Sequence, residues 1–173
     1  MKLHIIRHSN TLENAANIAQ GQTDGTLSEQ GLKENEALAV QLKDHSFSCI
    51  YSSPLGRALQ TATAIHQYHP AVPLIAEDRL MERHLGILQG KSYPVPYAEA
   101  DKYEGMETAA SMAERLNEFL QEIKQKHKDE TVVVVSHGYL IKVLLSIVHG
   151  WPVEEFYKVK LMGNSAYSSV ELA

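Results

Sequence analysis

TVVVV, residues 131–135, runs directly into SHGYLIKVLLSIVHG, residues 136–150. Four successive valines present no polar face. Their branched side chains favour extended backbone, and a strand that is apolar at consecutive positions has to be covered on both sides. Such a strand belongs inside a parallel sheet with helices packed above and below. Working outward, similar strand patterns occur at 3–6, 48–51 and 72–76, and helical patterns at 28–43, 56–68, 108–127 and 139–149. In the third of these helices, Met112, Leu116, Phe119, Leu120 and Ile123 share one face, while Glu114, Gln121, Lys124 and Gln125 occupy the opposite one. Ser28 is placed to cap the first, with Glu29 in its first turn. Alternating strands and helices predict an α/β layered fold with a mostly parallel central sheet.

The chain has 173 residues, 44% of them hydrophobic, which fits one domain with a substantial core. A net charge of −5 gives no reason to expect a nucleic-acid partner. The uncharged run at 131–141 falls well short of the roughly 18 residues that suggest a membrane span. The first residues are too short an apolar stretch for a secretory signal, so a cytoplasmic location is expected. Cys49 is the only cysteine; it reads as a small buried hydrophobe and allows no internal disulfide. KSYPVPYAEADKYEGM, residues 91–106, has no period and is expected to form a short surface lid. Trp151 and Pro152 read as packing residues at the start of a loop. The tail GNSAYSSVELA, residues 163–173, reads as a turn and a strand with Ala166, Ser168, Val170 and Leu172 on one side. It could close the sheet or form the edge of a homodimer.

Ligands of open α/β sheets gather beyond the carboxyl ends of the strands. Arg7 and His8 follow the first strand, Arg57 follows the second within SSPLGRALQTA (52–62), and His137 follows TVVVV. Two arginines and two histidines at one sheet edge suit a phosphate, since guanidinium forks and helix N-termini both match its oxygens. Metal catalysis is disfavoured: there is no HExxH motif, and the arginines would repel a cation.

IIRH (5–8), QGQTDGTLSEQG (20–31), SSPLGRALQTA (52–62), LMERHLGILQG (80–90), GMETAASMAERL (105–116) and VSHG (135–138) together resemble the histidine phosphatase superfamily, the phosphoglycerate mutase-like proteins. The resemblance implies a three-layer αβα sandwich and phosphoryl transfer through a phosphohistidine, with no cofactor or metal. It makes His8 the nucleophile, gives Arg7, Arg57 and His137 the phosphoryl oxygens, and assigns Glu82 as general acid and base. Asn14 matches a position near the phosphate, and Gln20 and Gly21 match the segment that approaches the substrate. The family commonly has Gly then Glu after its nucleophilic histidine. Ser9 and Asn10 stand there instead and are expected to add small polar donors at the pocket, with Tyr93, Tyr97 and Tyr103 forming further walls. The ERH run at 82–84 also resembles the mutase branch. Between Gly90 and Gly105, however, Lys91 and Lys102 are the only cations, and a lid so poor in anion contacts admits water. The expected activity is hydrolysis of a small phosphorylated metabolite. The alternatives are a phosphoglycerate mutase-type transferase and a phosphate- or phosphoprotein-binding module.

Overall fold

The computed structural model describes residues 1–92 and 103–172. Its strands are β1 (Lys2–Arg7), β2 (Cys49–Ser52), β3 (Leu74–Ala76), β4 (Thr131–Ser136) and β5 (Tyr167–Glu171). Its α-helices are α1 (Leu12–Ala15, one turn), α2 (Glu29–Leu42), α3 (Gly56–Gln67), α4 (Ala109–Lys126) and α5 (Gly138–His149). The sheet order is β3-β2-β4-β1-β5, and every pairing is parallel except that of β5 with β1.

The valine strand lies at the centre of this sheet, and its side chains divide between two cores as a period of two requires. Val132 and Val134 join Leu3, Ile5, Cys49 and Tyr51 in a cluster with Met112, Leu116, Phe119 and Ile123 of α4 and Leu140, Val143 and Leu144 of α5. Val133 and Val135 join Ile6 and Ile50 in a second cluster with Leu38 and Leu42 of α2 and Ala58, Ala62 and Ile65 of α3. The result is the expected three-layer αβα sandwich, with α4 and α5 on one face and α2 and α3 on the other. Cys49 is buried in the first cluster, as expected of a small hydrophobe.

The tail is an edge strand, with Val170 and Leu172 packed on the first core and Tyr167 on the second. Ser28 and Thr108 cap α2 and α4 by accepting from the N–H groups of Gly31 and Ser111. Helix α5 begins one residue earlier than its periodicity suggests, because His137 takes extended backbone and Gly138 already turns into the helix. Among the described residues no helix is long and apolar enough to cross a membrane.

Most of the expected lid, including Tyr93 and Tyr97, lies outside the described residues. Its flanks are anchored by bridges from Ser92 to Ile18 and from Met106 to Leu85. Tyr103 packs against the first core rather than standing as a pocket wall.

Candidate active site

Parallel pairing in register brings the ends of β1, β4 and β2 together: Arg7 stands opposite Ser136, and Ser52 opposite Val135. The residues that follow these ends surround a cavity of about 70 Å³. Arg7, His8, Asn14, Gln20, Gly21, Arg57 and Glu82 line it, so seven of the ten expected site residues meet there. His137 is wholly buried behind the nucleophile position, its ring centroid 5.1 Å from that of His8.

Ser9 and Asn10 do not line the cavity, which corrects the expectation of pocket donors. The Ser9 hydroxyl is held by Asn35 and Ser165. Asn10 accepts a hydrogen bond from the Ser28 hydroxyl through Oδ1 and donates its N–H to Glu34. These bonds tie the segment after β1 to α2 and its cap.

The imidazole of His8 is 3% exposed, and its Nδ1 lies 2.8 Å from the carbonyl oxygen of Ser9. A carbonyl only accepts, so Nδ1 carries the proton and the lone pair is on Nε2. Burial, with Arg57 and then Arg7 nearby, holds the pKa of His8 well below its usual value, and the ring is neutral at pH 7. His137 is pushed down for the same reasons, burial first. Its Nε2 lies 2.7 Å from the Ser53 hydroxyl, and its buried Nδ1 has no partner among the described residues.

The guanidinium of Arg57 donates from Nη1 to the Thr23 carbonyl and from Nη2 to the Gly21 carbonyl, both at 2.7 Å. These bonds fix the 21–23 turn, which enters through Gly21 at φ +54°, and leave the buried Nε–H without a partner among the described residues. Arg7 donates from Nη1 to the Met162 carbonyl at 2.5 Å. Its guanidinium rests on Gly138: a Cβ there would lie 3.5 Å from Arg7 Cζ and Nε and 2.8 Å from Leu161. Asn14 is the third residue of α1, in a capping box with Thr11. Its Oδ1 accepts from the N–H of Thr11 and from Asn164 Nδ2, leaving its own amide donors for a ligand.

Glu82 sits over the N-terminus of α5. Its Oε1 accepts from the N–H groups of Arg83 (2.9 Å) and Leu140 (3.1 Å), and its Oε2 from that of Tyr139 (3.2 Å). Burial still raises its pKa, because three N–H bonds and two arginines only partly replace water around the charge. A carboxyl group so placed can hold a proton and release it.

Residues that the sequence reading did not single out complete the walls: Ile18, Leu85, Gly138, Tyr139, Lys142 and Leu161. Behind Glu82, Arg115 of α4 binds the Arg79 and Met81 carbonyls (2.6 and 2.8 Å) and chelates Glu107 (2.7 and 2.9 Å). Arg83 and His84 of the ERH run are not in the lining: Arg83 Nε donates to the Glu107 carbonyl, and His84 Nδ1 meets the Gly105 carbonyl.

Residues 3–173 match the profile of the histidine phosphatase superfamily (branch 1). The chain belongs to that superfamily. Phosphoserine phosphatase 1 of Hydrogenobacter thermophilus is 31% identical over 99% of this chain and 87% of its own length. Among solved structures, Bacillus stearothermophilus YhfR superposes with a TM-score of 0.90 at 26% identity, covering 98% of this chain and 90% of its own. A mycobacterial glucosyl-3-phosphoglycerate phosphatase solved with VO3 gives 0.88 at 28% identity, over 98% and 90%.

Proposed function

We propose that this protein is a metal-independent phosphomonoesterase that hydrolyses a small phosphorylated metabolite through a phosphohistidine on His8. Membership of the histidine phosphatase superfamily and the phosphatases among its relatives support a phosphoric monoester hydrolase. The observation that carries the mechanism is the Nδ1–H bond from His8 to Ser9: it leaves a buried, neutral imidazole with its Nε2 lone pair available beside two guanidinium groups.

In the first half-reaction Nε2 attacks phosphorus, the N–P bond forms and the ester P–O bond breaks. Glu82 gives its proton to the departing oxygen. In the second, Glu82, now a carboxylate, takes a proton from water as that water attacks phosphorus. The N–P bond breaks, inorganic phosphate leaves and His8 is regenerated. Arg7, Arg57, the Asn14 amide and Nδ1–H of His137 hold the phosphoryl oxygens, a positioning and electrostatic task that dominates phosphoryl transfer. In this role the Ser53 hydroxyl, 2.7 Å away, donates to Nε2 of His137, which puts the ring's proton on Nδ1.

The relative's phosphoserine makes that ester the first candidate substrate. The ERH run gives the mutase alternative no support in the cavity, because neither Arg83 nor His84 is in its lining. Phosphate release from a panel of phosphorylated metabolites in EDTA, by wild type and His8→Ala, tests the proposal. Activity that persists in EDTA and is lost in the variant supports it. Isomerisation of a phosphoglycerate faster than any ester is hydrolysed refutes it.

A further inference from the structure

Gln89 does not line the cavity, and the phosphoryl chemistry gives it no task. Its amide oxygen nonetheless holds two segments that do line it. Oε1 accepts from the N–H of Gln22 at 2.9 Å and, at a longer 3.3 Å, from that of Leu85, so both lone pairs are used. The amide also lies directly on Gly21: a Cβ built there would stand 2.5 Å from Oε1. Only glycine lets the two approach so closely.

The Gln22 N–H and the Gly21 carbonyl belong to one peptide unit. That unit is planar and trans, so its N–H and its C=O point in opposite directions. Gln89 takes the N–H end, and Arg57 donates from Nη2 to the carbonyl end at 2.7 Å. The peptide is thus clamped between an amide outside the cavity and a guanidinium that lines it. A peptide next to glycine can turn over readily, because glycine tolerates backbone angles on both sides of zero φ. Turned over, the 21–22 unit would present its N–H to Arg57, donor against donor, and the guanidinium would keep only its bond to the Thr23 carbonyl. Other bonds hold the rest of the turn: Thr23 donates its N–H to the Gln20 carbonyl, and Asp24 accepts from the N–H of Gly56, both at 3.0 Å. Neither touches the 21–22 peptide.

We propose that Gln89 is a positioning residue for the phosphoryl site: by holding the 21–22 peptide it aims the Gly21 carbonyl at Nη2 of Arg57 and so fixes the guanidinium against the bound phosphoryl group. A group that is already held needs no ordering when the ligand arrives, which is how a residue outside the cavity raises affinity inside it. Gln89 is uncharged, so its influence runs through these hydrogen bonds and not through a field at the phosphate. The assignment rests on Arg57 binding the phosphoryl group, as the phosphomonoesterase reading has it.

The test is a double-mutant cycle read by calorimetric titration with inorganic phosphate, in wild type, Gln89→Met, Arg57→Lys and the double variant. Gln89→Met keeps the length of the side chain and removes the acceptor. It is expected to bind phosphate about tenfold more weakly than wild type, the scale of one hydrogen bond, and to lose about the same factor in kcat/KM. In Arg57→Lys, where a single nitrogen replaces the fork, the same change at Gln89 costs less than about twofold, because no guanidinium is left to fix. An equal loss on both backgrounds, or no loss on either, overturns the assignment and leaves Gln89 a structural residue. Should Gln89→Met not fold, Gln89→Asn, which keeps the amide but draws its oxygen back by one carbon, is read on the same cycle. Wild type that binds phosphate but releases it from no ester defeats the phosphomonoesterase reading instead, and the binding cycle still decides on Gln89.

Discussion

Replacing Glu82 by Gln separates the two half-reactions. The amide keeps the size of the carboxyl group, and its Oε1 can still accept from Arg83 and Leu140. Its NH2 then faces the N–H of Tyr139, donor against donor, in place of the 3.2 Å bond to Oε2. One lost buried hydrogen bond costs about 1–3 kcal/mol, which a domain stable by roughly 5–15 kcal/mol survives. The chemical cost is larger: a positioned acid or base contributes about 10²–10⁴ in rate. It falls unevenly on substrates. An alkyl ester needs a proton on its leaving oxygen, so Glu82→Gln slows its first half-reaction by that factor. 4-Nitrophenyl phosphate expels a stable phenolate unaided, and its first half-reaction proceeds. Its second half-reaction lacks the base that activates water. Rapid mixing of Glu82→Gln with 4-nitrophenyl phosphate therefore gives a burst of nitrophenolate close to one equivalent of enzyme, then slow turnover, with an acid-labile phosphoryl label on His8. No burst accompanies an alkyl ester. Equal slowing of both esters without a burst would refute the role of Glu82 as acid and base.

Arg115→Met removes the bonds to the Arg79 and Met81 carbonyls and to Glu107 that fix the segment carrying Glu82. The expected result is a kcat lower by about tenfold with a shifted Glu82 limb in the pH–rate profile, since loosely positioned acid–base groups lose rate; an unchanged profile shape would leave Arg115 a purely structural residue. The stability of Glu82→Gln should fall between pH 7.5 and 5.5. His8 and His137 are held neutral in the fold while their unfolded counterparts take up protons below about pH 6.5, so each costs about 1.4 kcal/mol per pH unit as pH falls toward the lowered folded values. In wild type, Glu82 opposes this, because its raised pKa favours the fold as pH drops. With that opposition removed, denaturant melts should show a loss of about 2–3 kcal/mol, and equal stability at the two pH values would contradict buried neutral histidines.

The layers were legible because TVVVV is apolar at every position, and period-two alternation can bury such a strand only between two helical layers. The convergence of Arg7, His8, Arg57 and His137 followed from one rule, that parallel strands deliver their carboxyl ends to the same edge. What escaped the sequence lies far apart along the chain. The Met162 carbonyl and Leu161 reach Arg7 only because β5 returns antiparallel beside β1, and nothing local in 159–165 signals that contact. Lys142 sits in a stretch that reads as a buried helix, where one lysine attracts no notice until Gly138 and Arg7 are seen below it. Glu82 carries no local sign of burial either; its partners are the first N–H groups of a helix more than 50 residues later.

Ser9 and Asn10 show how a departure from a family pattern can leave the setting of His8 intact. The proton on Nδ1 of His8, and so the lone pair on Nε2, depends on where the Ser9 carbonyl points. That peptide is held on every side: the Ser9 N–H donates to the Thr61 hydroxyl at 3.1 Å, the Ser9 hydroxyl engages Asn35 and Ser165, and the Asn10 N–H donates to Glu34 at 3.0 Å. Glu34 also accepts from Ser165, whose own N–H returns to the Arg7 carbonyl at 3.1 Å, and Asn164 donates to the His8 carbonyl at 3.0 Å. Glu34 of α2 thus brings a carboxylate to the Asn10 N–H and the Ser165 hydroxyl. The two residues therefore act on the orientation of the His8 imidazole through its neighbouring peptide, while the cavity walls come from elsewhere, α5 and the segment leading into β5 among them.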